Sequence, residues 1–272
     1  MKNLFKAVFL TTVLFTGTGN ADQGVTDTQV LIGSNQDMSG PFAAFGAPAM
    51  EAAQMYFDEV NAAGGVHGRQ IKMIVEDHGY QMPKAMSNLN KLVNSDKIFV
   101  MFQQLGTPMN IASFPLLEAK KIANVSPLTA ARQMIEPHSA YKYAGTSSYY
   151  DQMRTSVKYL SETTGVKNIC SMYIPSDFGL EIAEGTKDAV AEAGSGLTFG
   201  GETKHKPDEL DFVGSLSKLK ASGCELVTVA LGVKQTLTVL GTAKKMGLTD
   251  LKFLGGSASF HTLIAKVPGG PG

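Results

Sequence analysis

Two kinds of run alternate along the chain. Short stretches dominated by Val, Ile, Leu and Met occur at residues 30–33, 71–75, 98–102 and 122–125, and they predict strands. A second series follows at residues 168–174, 197–203, 226–230 and 252–255. Between the short runs, apolar side chains recur at helical spacing. Residues 48–60, 83–93 and 108–120 predict helices in the first series. Residues 151–162, 179–193, 211–222 and 235–246 do so in the second, where Phe212, Leu216 and Leu219 share one helical face. Pro115 lies inside the run at 108–120 and is expected to kink that helix or end it early.

Most strand starts lie about 25–30 residues apart, the length of one βαβ step, whose right-handed crossover builds a parallel sheet. The pattern predicts an α/β protein of two successive four-strand runs. The join falls at residues 141–150, where Tyr-Lys-Tyr-Ala-Gly-Thr-Ser-Ser-Tyr-Tyr reads as a short strand entering a turn. We expect lobes over residues 22–145 and 146–272, with the join acting as a hinge.

The first residues change this picture at one end. Lys2 and Lys6 precede an apolar run from Ala7 to Phe15, and Gly19-Asn20-Ala21 places small residues where a signal peptidase cuts. Residues 1–21 therefore read as a cleavable signal peptide, too short in its apolar part to span a bilayer, which needs about 20 residues. Export to the periplasm follows. The 24 basic and 24 acidic residues cancel, and no basic block marks a nucleic-acid or anionic membrane surface. Cys170 and Cys224 both fall in or beside expected buried strands. Export permits a bridge between them, but the reading favours two small core side chains.

In a parallel α/β sheet, ligands bind beyond the carboxyl ends of the strands, where helix N-termini offer free N–H groups. The loops there carry Phe42 and Phe45 after the first strand and Gly106-Thr107 after the third. Gly106 permits close backbone approach, and Thr107 is expected as an N-cap hydroxyl. Residues 126–131 follow the fourth strand; in the second series the rim comprises residues 175–179, 231–234 and 255–259. No GxGxxG opening a helix, Walker loop, GxSxG or HExxH occurs. The five histidines are scattered; Asp77-His78 has no second ligand pair at a spacing that supports a metal. No cofactor and no catalytic residue is expected.

These residues resemble the type I periplasmic solute-binding proteins of the leucine/isoleucine/valine-binding kind, which serve ABC importers. The resemblance rests on Ile32-Gly-Ser-Asn-Gln-Asp-Met-Ser-Gly-Pro41 with Phe45-Gly46, and on Asn61-Ala-Ala-Gly-Gly-Val-His-Gly-Arg-Gln70. It continues through Leu105-Gly-Thr-Pro108, Ser126-Pro127, Ser176-Asp-Phe-Gly179 and Asp211-Phe212. It implies two Rossmann-like lobes joined by hinge strands, with return segments beyond the last residue, so that the chain is C-terminally truncated. It implies ligand contacts from Leu105, Gly106, Thr107, Leu128, Thr129 and Ala130, with aromatic cover from Phe45 and Phe178. Ser257 stands where the family places an acid for the ligand's ammonium, and Asp177 is the alternative source of that charge.

The function so implied is capture of a branched-chain amino acid, or a related small carboxylate or amide, for a membrane permease. The chain is expected to be a monomer that binds no nucleic acid. A sensory ligand-binding domain of the same fold and a secreted α/β enzyme are the rival readings. Intact-mass measurement of protein recovered from the periplasm should give a chain starting at Asp22; a cytoplasmic product retaining Met1 would contradict export.

Overall fold

The computed structural model describes residues 22–192 and 194–266. The expected signal peptide and the final turn at 267–272 lie outside the described residues. The first sheet holds five parallel strands: β1 (Gln29–Gln36), β2 (Gln70–Asp77), β3 (Val100–Phe102), β4 (Ala123–Val125) and β5 (Lys142–Tyr143). Their spatial order is β2-β1-β3-β4-β5, a doubly wound topology whose strand order reverses between β1 and β3. Helices α1 (Ala43–Ala62), α2 (Met82–Asn90) and α3 (Thr107–Ala119) make the crossovers. Leu89, Leu92, Ile98, Met101, Leu117 and Ile122 form a fully buried cluster in this lobe.

The second sheet holds β6 (Asn168–Tyr173), β7 (Thr198–Lys204), β8 (Leu226–Ala230) and β9 (Lys252–Gly255), in the order β7-β6-β8-β9. Every residue of β8 is buried, as a central parallel strand covered on both faces requires. Helix α4 (Tyr149–Thr164) opens this half. Ser148 caps it by accepting the Asp151 N–H at 3.0 Å, and Tyr149, Met153, Val157 and Ser161 bury one face at four-residue spacing. Helices α5 (Asp177–Ala191), α6 (Val213–Ala221), α7 (Val233–Lys245) and the short α8 (Thr262–Lys266) follow. Among the described residues no helix is long and apolar enough to cross a membrane.

The two α/β lobes of the type I fold are therefore present, with corrections of detail. The first run has five strands, because Lys142 and Tyr143 at the join pair with Asn124 and Val125 of β4. Strand β1 reaches Gln36, three residues beyond the apolar run, because its polar end continues the β2 ladder. Helix α3 continues past Pro115 to Ala119, so the proline does not end it early. Helix α1 starts five residues before Pro48, because the Asp37 carboxylate accepts the N–H groups of Gly40 and Phe42 and organises its entry.

Cys170 and Cys224 are bridged, which overturns the reading of two separate core thiols. Pairing of β6 with β8 brings the residues preceding β8 beside β6, and the two Cα atoms lie 5.8 Å apart. The bridge spans 54 residues and contributes about 2–4 kcal/mol by restricting the unfolded chain. Urea denaturation of a Cys170→Ala/Cys224→Ala variant should show a loss of that order. An unchanged midpoint and slope would contradict the assignment.

Candidate ligand-binding site

A cavity of about 190 Å³ lies between the lobes, beyond the carboxyl ends of both sheets. That is roughly the volume of six waters and below the ~300–1,000 Å³ of drug-sized pockets. The first lobe contributes Phe42 and Phe45 from the β1 loop, Tyr80 from the β2 loop, Leu105 to Thr107 from the β3 loop and Pro127 to Ala130 from the β4 loop. The second contributes Tyr149, Phe178, Ser257 and Ala258, and Thr146 comes from the join. All nine residues singled out from the sequence lie on this wall.

The start of α3 is held by side chains as much as by the backbone. The Asn110 carboxamide donates to the carbonyls of Gln104 and Gly106, both at 2.9 Å, and accepts from Asn124 at 2.7 Å. Gly106 takes φ of 100°, and a Cβ there would meet Met109 Sδ at 2.9 Å and the Tyr80 ring at 3.2 Å. Gly106, not Thr107, is therefore the N-cap. Thr107 is the first helical residue, and its buried hydroxyl is 2.6 Å from that of Thr129. Leu105 and Leu128 form a parallel bridge, so the β3 and β4 loops are strapped together at the level of that hydroxyl pair.

His78 holds the next loop. Its Nδ1 accepts the Tyr80 N–H at 2.9 Å, which leaves Nε2 to donate to the Leu105 carbonyl at 3.2 Å. The imidazole thus ties the β2 loop to the β3 loop, and both of its nitrogens are engaged within the protein. Among the described residues no group of three His, Cys, Asp or Glu is arranged to hold a metal ion. Asp77 accepts from the Met38 and Gly79 N–H groups and the Ser39 hydroxyl. Burial alone would push its carboxyl up; those hydrogen bonds outweigh it and bring the pKa down to about 2.

The wall is rich in rings. Phe42 meets Tyr80 at 4.6 Å between centroids and crosses to Phe178 of the other lobe edge-on at 5.7 Å; Tyr149 meets Phe178 at 5.3 Å. Burial raises the hydroxyl pKa of both Tyr80 and Tyr149, so each stays a neutral donor. The lobes also meet where Gly232 lies against the Pro41 carbonyl. Arg132, following β4, reaches α5: its N–H donates to Glu181 at 2.8 Å and its guanidinium to Glu184 at 2.7 Å. Asp177 is exposed and is not among the residues lining this cavity.

A family model described as periplasmic binding protein matches residues 29–271. The chain belongs to the periplasmic binding protein family. It is 25% identical over 259 residues to a leucine-, isoleucine-, valine-, threonine- and alanine-binding protein of Pseudomonas aeruginosa, covering 92% of this chain and 66% of that protein. Its fold matches a fatty acid ABC transporter substrate-binding protein from Thermomonospora curvata with a TM-score of 0.83 and 27% identity, covering 91% of this chain and 62% of that one. It matches a branched-chain amino acid ABC transporter protein from Thermus thermophilus with bound valine at 0.79 and 24%, covering 89% and 62%. The chain of this periplasmic binding protein thus spans about two thirds or less of these relatives' lengths.

Phe42, Tyr80, Pro127, Thr146, Tyr149 and Ala258 were not singled out as ligand contacts. For Tyr80 a signal existed, since the loop after β2 obeys the same carboxyl-edge rule as its neighbours. Tyr149 carried none, because its place depends on how the join turns into α4.

The buried His78 gives a pH signature. Burial drives its pKa below 6.5, outweighing the Asp37 charge and the Leu105 carbonyl, which raise it. The unfolded chain therefore takes up this proton first. The stability His78 contributes is complete above about pH 6.5 and is lost as pH falls below it. Thermal melts between neutral pH and mild acid should fall more steeply for wild type than for His78→Gln. Parallel slopes would contradict a buried neutral imidazole.

Proposed function

We propose that this chain is the substrate-binding component of an ABC importer, which captures a small solute in the interlobe cleft and presents it to a membrane permease. The observation that carries this is a ring-lined cavity walled by loops of both lobes at the carboxyl edges of their sheets. Its lining groups pack and hydrogen-bond; Phe45, Leu105, Gly106, Thr107, Leu128, Thr129, Ala130, Phe178 and Ser257 are the proposed ligand contacts. The expected signal peptide supports a periplasmic location. The lobes over 22–145 and 146–272 close on the solute about the join at 141–150, a hinge motion this architecture permits.

The solute proposed is a branched-chain amino acid or a related small carboxylate or amide. Names of relatives support that breadth: one structure holds valine and another serves fatty acid transport. A thermal-shift screen of amino acids, organic acids and amides identifies the ligand, because binding the folded state raises its melting temperature. Thr107→Val removes a hydroxyl at the start of α3. Losing one such hydrogen bond to a charged group costs about 1.5–3 kcal/mol, so affinity for the hit should fall roughly ten- to a hundredfold. Equal affinities for wild type and Thr107→Val would place the ligand elsewhere.

A further inference from the structure

The charges around the cleft say more about the solute than its size does. No Asp, Glu, Lys, Arg or His lines the cavity among the described residues. Two buried carboxylates, Asp37 and Glu181, are engaged by neighbouring donors. Asp37 accepts the Gly40 and Phe42 N–H groups at 2.6 and 2.8 Å. Glu181 accepts the Arg132 N–H and lies 3.3 Å from its Nε; its other oxygen has no hydrogen-bond partner, but Glu181 is off the wall and beside that guanidinium. An ammonium enclosed here would be desolvated with no opposing charge in contact.

A carboxylate meets the opposite situation. The first turn of α3 has an N–H group without an intrahelical acceptor at Thr107, which lines the cavity at the positive end of the helix dipole. The hydroxyls of Thr107 and Thr129 share a 2.6 Å bond, and Thr129 also bonds the Tyr149 hydroxyl, so this chain of three hydroxyls has three hydrogens for two internal bonds and one left for a ligand oxygen. With no side-chain cation on the wall, this arrangement suits one negative charge and not two. Opposite it, Phe42, Tyr80, Tyr149 and Phe178 offer ring faces and edges from both lobes. Such a wall packs a flat or branched apolar body.

We propose that the cleft selects a small monocarboxylate with an apolar body, and discriminates against the amino acid built on the same carbon skeleton. This rests on the reading of the cavity as the solute site and narrows it. The test is isothermal titration of the full chain with two matched pairs, 3-phenylpropanoate against phenylalanine and 4-methylpentanoate against leucine. The acid without the amine should bind about tenfold or more tightly in at least one pair. Ser257→Asp, which adds a carboxylate to the wall, should shrink or invert that preference. If wild type binds either amino acid as tightly as its deaminated partner or better, the charge inference falls while the solute-binding reading stands. If none of the four binds at millimolar concentration, the monocarboxylate inference falls, while the solute-binding reading falls only if the thermal-shift screen also finds no ligand.

Discussion

The Asn110 carboxamide is the pin on which the cleft depends. Its two N–H groups are used by Gln104 and Gly106, and its oxygen by Asn124, so all its polar capacity is engaged in a buried position. This aims the start of α3 at the cavity and holds Gly106 in a conformation that side chains rarely adopt. From there the order spreads. Gly106 allows Tyr80 to close in, His78 ties Tyr80 to Leu105, and Leu105 bridges to Leu128. Three loops from one sheet edge become one wall of the cavity.

The second half is attached by packing across the cleft. Phe42 against Phe178 and Gly232 against Pro41 bring the lobes together on one side of the cavity, and Arg132 with Glu181 and Glu184 does so on another. Glu181 is almost fully buried, and burial raises its pKa against the pull of Arg132. A pair like this contributes little net stability, since desolvation offsets attraction, but it fixes which face of α5 meets the β4 loop. The cleft thus combines one preorganised wall with one that docks on it.

The sequence showed the fold where local signals suffice. The apolar runs of β6 and β8 and the four-residue spacing in α4 are visible without any partner, and so are the rim loops once parallel strands are assumed. What it hid depends on distant neighbours. The short strand at the join was legible, but that Lys142 and Tyr143 pair with β4 as a fifth strand of the first sheet was not. Cys170 and Cys224 bond because β8 lies beside β6, and no spacing rule reveals that. The polar end of β1 reads as loop until the β2 ladder extends beneath it. Within the site, Thr107 was legible as a helix-start residue, whereas its pairing with Thr129 required the register of the β3 and β4 loops.

The central claim is that both lobes wall one solute and close on it. Small-angle X-ray scattering of the chain with and without saturating ligand tests this directly. The account predicts a smaller radius of gyration in the bound state, as the lobes draw together about the join at 141–150. An unchanged radius of gyration at saturating ligand would contradict it.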